Sequence, residues 1–136
     1  MLFQQVLEQF PNDVKLVIKH FPLTSHKFAK QAAKAALAAD RQGKFWEFHH
    51  LLFKNYKRID DQKIQEIATA LGLDLERFNA DVQSPDIATL IQRDLANGRA
   101  IGVRGTPTIF INGKRLQTRS LQGFKDMIMS ELNKDR

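Results

Sequence analysis

The segment Gly102-Val103-Arg104-Gly105-Thr106-Pro107-Thr108-Ile109-Phe110-Ile111-Asn112-Gly113-Lys114 carries the chain from helical patterning into β patterning. Thr108 to Ile111 is β-branched and aromatic, with Ile109 and Ile111 on one face and Phe110 on the other, which predicts a strand apolar on both sides. Asn112-Gly113 follows it. Both residues tolerate positive φ, so the pair is a strong signal for a tight hairpin. Lys114 to Gln117 is then the expected return strand. Gly105 allows close passage of the backbone ahead of the strand, and Pro107 removes a donor at its entry.

Upstream, the pattern is helical for most of the chain. Residues 2–10 place Leu2, Phe3, Val6, Leu7 and Phe10 on one stripe, and Pro11-Asn12-Asp13 ends it. Val14 to His20 alternates, with Val14, Leu16 and Ile18 opposite Lys15, Val17 and Lys19, and predicts a strand. Pro22 stops it. Thr24 or Ser25 is placed to cap an alanine-rich helix over 26–41, where small side chains permit close packing. A helix from Phe45 carries Phe48, His49, Leu52 and Tyr56. Asp60 or Asp61 is placed to cap a fourth helix, with Gly72 just past its end, and Asp74 a fifth. Ser84-Pro85-Asp86 combines a capping hydroxyl, a first-turn proline and an acid at the positive end of the helix dipole. The helix it opens carries Ile87, Leu90, Ile91 and Leu95, and should weaken near Asn97-Gly98. Ser120 caps a last helix with Leu121, Phe124, Ile128 and Leu132. The expected order is helix, strand, five helices, hairpin, helix.

Composition narrows the chemistry. The 136 residues are 43% hydrophobic and 26% charged, ordinary for a globular domain. No apolar run approaches the ~20 residues of a membrane helix, and the first residues do not read as a signal peptide. There is no cysteine, which excludes disulfides, thiolate nucleophiles and cysteine metal sites within these residues. The net charge of +6 is uneven: residues 1–60 carry ten Lys/Arg against five Asp/Glu, and residues 61–136 carry eleven against ten. No nucleic-acid motif accompanies the charge, and Lys27, Lys30 and Lys34 recur at helical spacing, so it reads as a solvated face rather than a nucleic-acid surface. His20, His26, His49 and His50 contain no pair at the i, i+4 spacing of a helical metal site. His49 reads as a core histidine, and Trp46 with its neighbouring phenylalanines as core or subdomain-interface packing.

Residues 102–114 resemble the cis-proline loop and following hairpin of the DsbA-like thiol–disulfide oxidoreductases, a branch of the thioredoxin fold. Val14 to Leu23, ending His20-Phe21-Pro22-Leu23, resembles that family's second core strand. The alanine-rich helix running into Gln42-Gly43-Lys44-Phe45-Trp46-Glu47-Phe48-His49 resembles the start of its helical insertion. The resemblance implies an α/β fold: a thioredoxin-like core, truncated at its N-terminus, from residues 1–23 and 102–136, with an all-helical insertion over 24–101. The family's first strand and its Cys-x-x-Cys have no counterpart in this sequence.

The function implied is protein thiol–disulfide exchange, with the redox cysteines absent and the chain inactive as it stands. A non-catalytic peptide-binding or chaperone-like module using the same groove is the alternative. No catalytic residue, metal ligand or cofactor is expected. Gly105, Thr106 and Pro107 are the expected substrate-binding residues. Thr106 would offer backbone groups to an extended client polypeptide by strand addition, beside a cis Thr106–Pro107 bond. Arg104 would line the groove, or is a plain surface arginine. No nucleic acid or membrane insertion is expected. Loss of the central strand would leave unpaired sheet edges, through which a homodimer could form. The resemblance places such enzymes in the bacterial periplasm.

Overall fold

A computed structural model describes residues 2–134. The chain divides into two compact units. One comprises the described residues up to Lys19 together with those from Gly105 onward; the other is His20–Arg104. The divisions fall between Lys19 and His20 and between Arg104 and Gly105, where the sequence reading placed them after 23 and after 101.

The first unit contains helix α1 (Leu2–Gln9), the antiparallel pair β1 (Phe110–Ile111) and β2 (Lys114–Arg115), and helix α7 (Leu121–Asn133); the five helices between belong to the second. The hairpin register pairs Phe110 with Arg115 and Ile111 with Lys114. Asn112 and Gly113 sit at φ +48° and +79°, the two left-handed positions that a two-residue hairpin turn demands. Leu116 N–H donates to the Ile109 carbonyl at 2.8 Å and extends the pairing by one step. Val6, Phe10, Leu116, Phe124 and Ile128 form the core of this unit. Phe3 meets Phe124 edge to face at 5.8 Å. Ser120 caps α7, its hydroxyl accepting from Gly123 N–H at 3.0 Å, and Lys114 pairs with Glu131 at 2.8 Å.

The strand expected over Val14–His20 does not form: residues 14–20 belong to neither a helix nor a ladder. Their alternation is that of a strand, but a strand exists only by pairing, and the one sheet among the described residues is the β1–β2 hairpin. For the same reason the strand expected over 108–111 is limited to Phe110–Ile111, and its return to Lys114–Arg115.

The second unit is all helical: α2 (Ala29–Asp40), α3 (Phe45–Lys54), a 3₁₀ turn at Tyr56–Arg58, α4 (Asp61–Ala70), α5 (Leu75–Val82) and α6 (Pro85–Ala100). Helix α2 packs against each of the other four, and its sequence explains how. Ala35, Ala38 and Ala39 are fully buried, and a methyl group there lets neighbouring backbones approach closely. The larger side chains come from those neighbours. Phe48, Phe78 and Ile91 are wholly buried, with the Phe48 and Phe78 rings 5.6 Å apart.

The helix starts follow their caps. Asp60 accepts from Lys63 N–H at 2.7 Å, Asp74 from Arg77 N–H at 3.1 Å, and Ser84 from Asp86 N–H at 3.3 Å ahead of Pro85. Each satisfies a donor that the first turn leaves open. Two details depart from the sequence reading. Neither Thr24 nor Ser25 caps α2. Turns with His26 N–H on Leu23 O and Ala29 N–H on His26 O, both at 3.1 Å, occupy residues 23–29, so the helix starts at Ala29 behind Phe28, which gives no side-chain cap. Helix α6 also runs unbroken through Asn97-Gly98 to Ala100, because Gly98 is where another element comes close. A Cβ on Gly98 would lie 2.9 Å from two carbons of the Phe21 ring.

Candidate polypeptide-binding site

Gly105, Thr106 and Pro107 precede β1, separated from it by Thr108 and Ile109. The Thr106–Pro107 peptide is cis. Thr108 Oγ1 donates to the Gly105 carbonyl at 2.6 Å, and Arg119 Nη1 donates to the Pro107 carbonyl at 3.4 Å. These two contacts hold the ends of the loop. Its middle is open: Thr106 and Pro107 are exposed, and the N–H and C=O of Thr106 make no hydrogen bond among the described residues. An exposed, unpaired backbone continuous with a strand is the arrangement on which an extended polypeptide can add.

The same unit holds a cavity of about 300 Å³ flanking β1, lined by Phe3, Val6, Val14, Leu16, Ile109 and Phe124 among others. Val14 and Leu16 of the alternation therefore line a mixed cavity, which Lys15, Asn112 and Glu131 also reach, although no ladder forms there.

Arg104 closes the second unit, one residue before the loop. It is exposed and lines a separate cleft with Phe21, Pro22, Leu23, Thr24, Leu95, Arg99 and Val103. Three of the four sequence-expected residues thus lie together on one loop, and the fourth belongs to a surface of the other unit.

The histidine and aromatic residues have a different arrangement from the one expected. His20, Phe45, Trp46, His49 and Phe53 form a chain of ring contacts. His49 lies 5.6 Å from Phe45, 5.8 Å from Trp46 and 4.6 Å from Phe53, and His20 lies 6.1 Å from Phe45. Yet Trp46 is 49% exposed and Phe53 56% exposed, so neither belongs to the core, the first of the two placements expected for Trp46 and its neighbouring phenylalanines. Helix α3 is aromatic on both faces, and it is Phe48 and Leu52 that turn inward. Burial holds the His49 pKa below its ordinary value, helped by the neighbouring charges of His20 and His50. No group of three or more metal-ligating side chains occurs among the described residues.

Asp94 is a structural residue that the sequence reading passed over. It is the one buried charged side chain among the described residues, 5% exposed, and its carboxylate accepts from the His20 backbone N–H at 3.0 Å. A signal was present. Asp94 lies on the apolar stripe of α6, beside Ile87, Ile91 and Leu95, where a carboxylate needs a partner.

A family model described as a DSBA-like thioredoxin domain matches residues 1–129, and the chain belongs to that family. Among solved structures, a thioredoxin-like oxidoreductase from Silicibacter pomeroyi DSS-3 superimposes with a TM-score of 0.81 at 27% identity, over 97% of this chain and 75% of that one. The oxidoreductase DsbA of Xylella fastidiosa shares the fold, with a TM-score of 0.71 at 18% identity, over 97% of this chain and 78% of that one. The fold is accordingly thioredoxin-like and carries a helical insertion.

Curated relatives bear another name. The Na(+)/H(+) antiporter NhaA of Herminiimonas arsenicoxydans is 38% identical over 108 residues, 79% of this chain but 17% of its own length. An NhaA 1 of Mycolicibacterium gilvum (strain PYR-GCK) is 37% identical over 114 residues, 82% of this chain and 18% of that one. The chain thus spans less than a fifth of the length of these relatives. Among the described residues no helix is long and apolar enough to cross a membrane.

Proposed function

We propose that this chain is the polypeptide-holding part of a DsbA-like protein thiol–disulfide oxidoreductase. It presents client segments at the Gly105-Thr106-Pro107 loop, and it carries out no thiol–disulfide exchange with its own residues. The observation that carries this reading is the unpaired, exposed backbone of Thr106 at the entry to β1. Main-chain pairing there would be indifferent to client sequence, which suits an enzyme family acting on many proteins.

The redox half of the reaction follows from elementary chemistry. Disulfide exchange needs a thiolate to attack a disulfide sulfur, and the sequence has no cysteine. Any dithiol acting at this loop is therefore supplied by residues other than these 136. The periplasm, an oxidising compartment, is the setting in which the reading makes sense.

The test is fluorescence anisotropy with a labelled, cysteine-free unfolded peptide. The wild-type chain should bind it, and Thr106→Pro, which removes the pairing N–H, should weaken binding. Undiminished binding by a folded Thr106→Pro variant would reject the loop as the holding site.

A further inference from the structure

We propose that the cleft formed by residues 21–24, the C-terminal half of α6 and residues 103–104 binds a carboxylate-bearing segment of an extended polypeptide. Arg99 and Arg104 would engage the acidic side chain, and the apolar floor would take its neighbour. The cleft measures about 310 Å³ and is lined by Phe21, Pro22, Leu23, Thr24, Leu95, Arg99, Val103 and Arg104. That is the low end of the ~300–1,000 Å³ typical of ligand clefts, suited to one or two side chains rather than a large cofactor.

Its chemistry is one-sided. Two guanidinium groups line it, and no acidic residue does. Neither the Arg99 nor the Arg104 guanidinium has a hydrogen-bond or ion-pair partner among the described residues. Arg41 and Arg77, elsewhere in the same unit, pair with Asp81, and Arg41 reaches Asp86 as well. Arginine suits this task, because its planar fork matches a carboxylate and it is weakly hydrated. The apolar floor lowers the local dielectric and strengthens attraction for an anion.

The cleft is also built rather than incidental. The Asp94 carboxylate ties the His20 backbone to α6 and so anchors the irregular 21–24 segment that follows. Phe21 packs on Gly98, where no larger residue fits without displacement. Beyond the helix, Val103 N–H donates to the Gly98 carbonyl at 2.9 Å, with Gly102 at φ +86° closing the turn, which fixes the start of the 103–104 wall. Three constraints on a short stretch of backbone hold the floor and both arginine-bearing segments in place, so little ordering is left for a ligand to impose.

The choice of a polypeptide rests on the client-binding reading of the loop; the cleft and the loop are tested apart. Two labelled peptides, acetyl-Gly-Leu-Glu-Val-Gly-amide and its Gln counterpart, are titrated by anisotropy into wild type, Arg99→Gln/Arg104→Gln and Thr106→Pro. Far-UV circular dichroism checks folding. The wild type should prefer the Glu peptide by about tenfold, as expected for charge-assisted hydrogen bonds. The preference should fall with salt and vanish in the double arginine variant. Equal affinity for the two peptides, or a Glu preference that survives loss of both arginines, overturns the cleft proposal. A Glu preference that is lost in the arginine variant, with the affinity for both peptides unchanged in Thr106→Pro, upholds the cleft and counts against the loop. Weakening of both peptides by Thr106→Pro alone does the opposite.

Discussion

The backbone N–H of His20 donates to the Asp94 carboxylate at 3.0 Å, across 74 residues of sequence. The contact ties the first residue of the helical unit to its last helix, and the carboxylate that makes it is buried. A buried charge is retained only where it is matched by donors, so this one has a definite structural task. Asp94→Ala leaves the His20 donor without its acceptor and should cost about 1–3 kcal/mol. Asp94→Asn keeps an oxygen that can accept and should cost less. Urea unfolding of both variants against wild type measures the difference; equal loss in the two would deny the hydrogen bond its role.

Gly98→Ala tests the close approach of Phe21. Alanine normally improves a helix interior by about 1 kcal/mol over glycine. Here the new Cβ meets the Phe21 ring at 2.9 Å, and overpacking typically costs about 1–3 kcal/mol. Net destabilisation is expected, and Phe21→Leu in the same chain should relieve part of it. A double-mutant cycle by thermal or urea unfolding reads the coupling. A stabilising Gly98→Ala would contradict the packing.

Helix α6 contributes to the core of its unit through Ile91, which is fully buried. Ile91→Ala should cost about 2–5 kcal/mol, the transfer loss plus a cavity. Leu75→Ala, at a position 38% exposed, should cost much less. Comparable losses at the two positions would reject this core.

His49 predicts the acid side of the stability profile. Its folded-state pKa lies below the ordinary 6.5, first through burial and then through His20 and His50. The unfolded state therefore takes up a proton at a higher pH than the folded state does. The contribution of the neutral side chain is present above the unfolded value and is lost as pH falls below it towards the folded value. Urea midpoints should decline as pH falls through the ordinary histidine value of 6.5, and His49→Phe should flatten the decline. An unchanged slope in that variant would remove His49 as the cause.

Much of this architecture is legible in the sequence because it is local. Asp60, Asp74, Ser84 and Ser120 cap the helices they precede, and Asn112-Gly113 makes the turn its chemistry requires. Those signals act within three or four residues. What was not legible depends on distant partners. The alternation of Val14–His20 is genuine, but pairing decides whether it is a strand, and periodicity carries no information about a neighbour. Aromatic residues around α3 obscure which face is buried, so Tyr56, expected on its inward stripe, and Trp46 are exposed. The Asp94–His20 contact and the cleft of Arg99 and Arg104 join residues that sequence spacing does not bring together. Gly105-Thr106-Pro107, the proposed holding site, could be singled out because the family resemblance falls on consecutive residues placed before a strand.

The account of the reaction rests on what is absent from the composition as much as on the loop. Without a cysteine, the chain should not accelerate insulin reduction by dithiothreitol, nor the oxidative refolding of a reduced protein, above the buffer rate. Turnover would mean that some other group carries the exchange.

Amide hydrogen exchange with and without a cysteine-free unfolded client peptide tests the central claim most directly, because it reads the backbone that the claim invokes. The Thr106 N–H, unpaired in the free chain, should become protected on peptide binding, while the amides of α4, remote in sequence and already hydrogen-bonded within their helix, keep their rates. Saturating peptide that binds the chain yet leaves the Thr106 amide exchanging as fast as before would contradict the account.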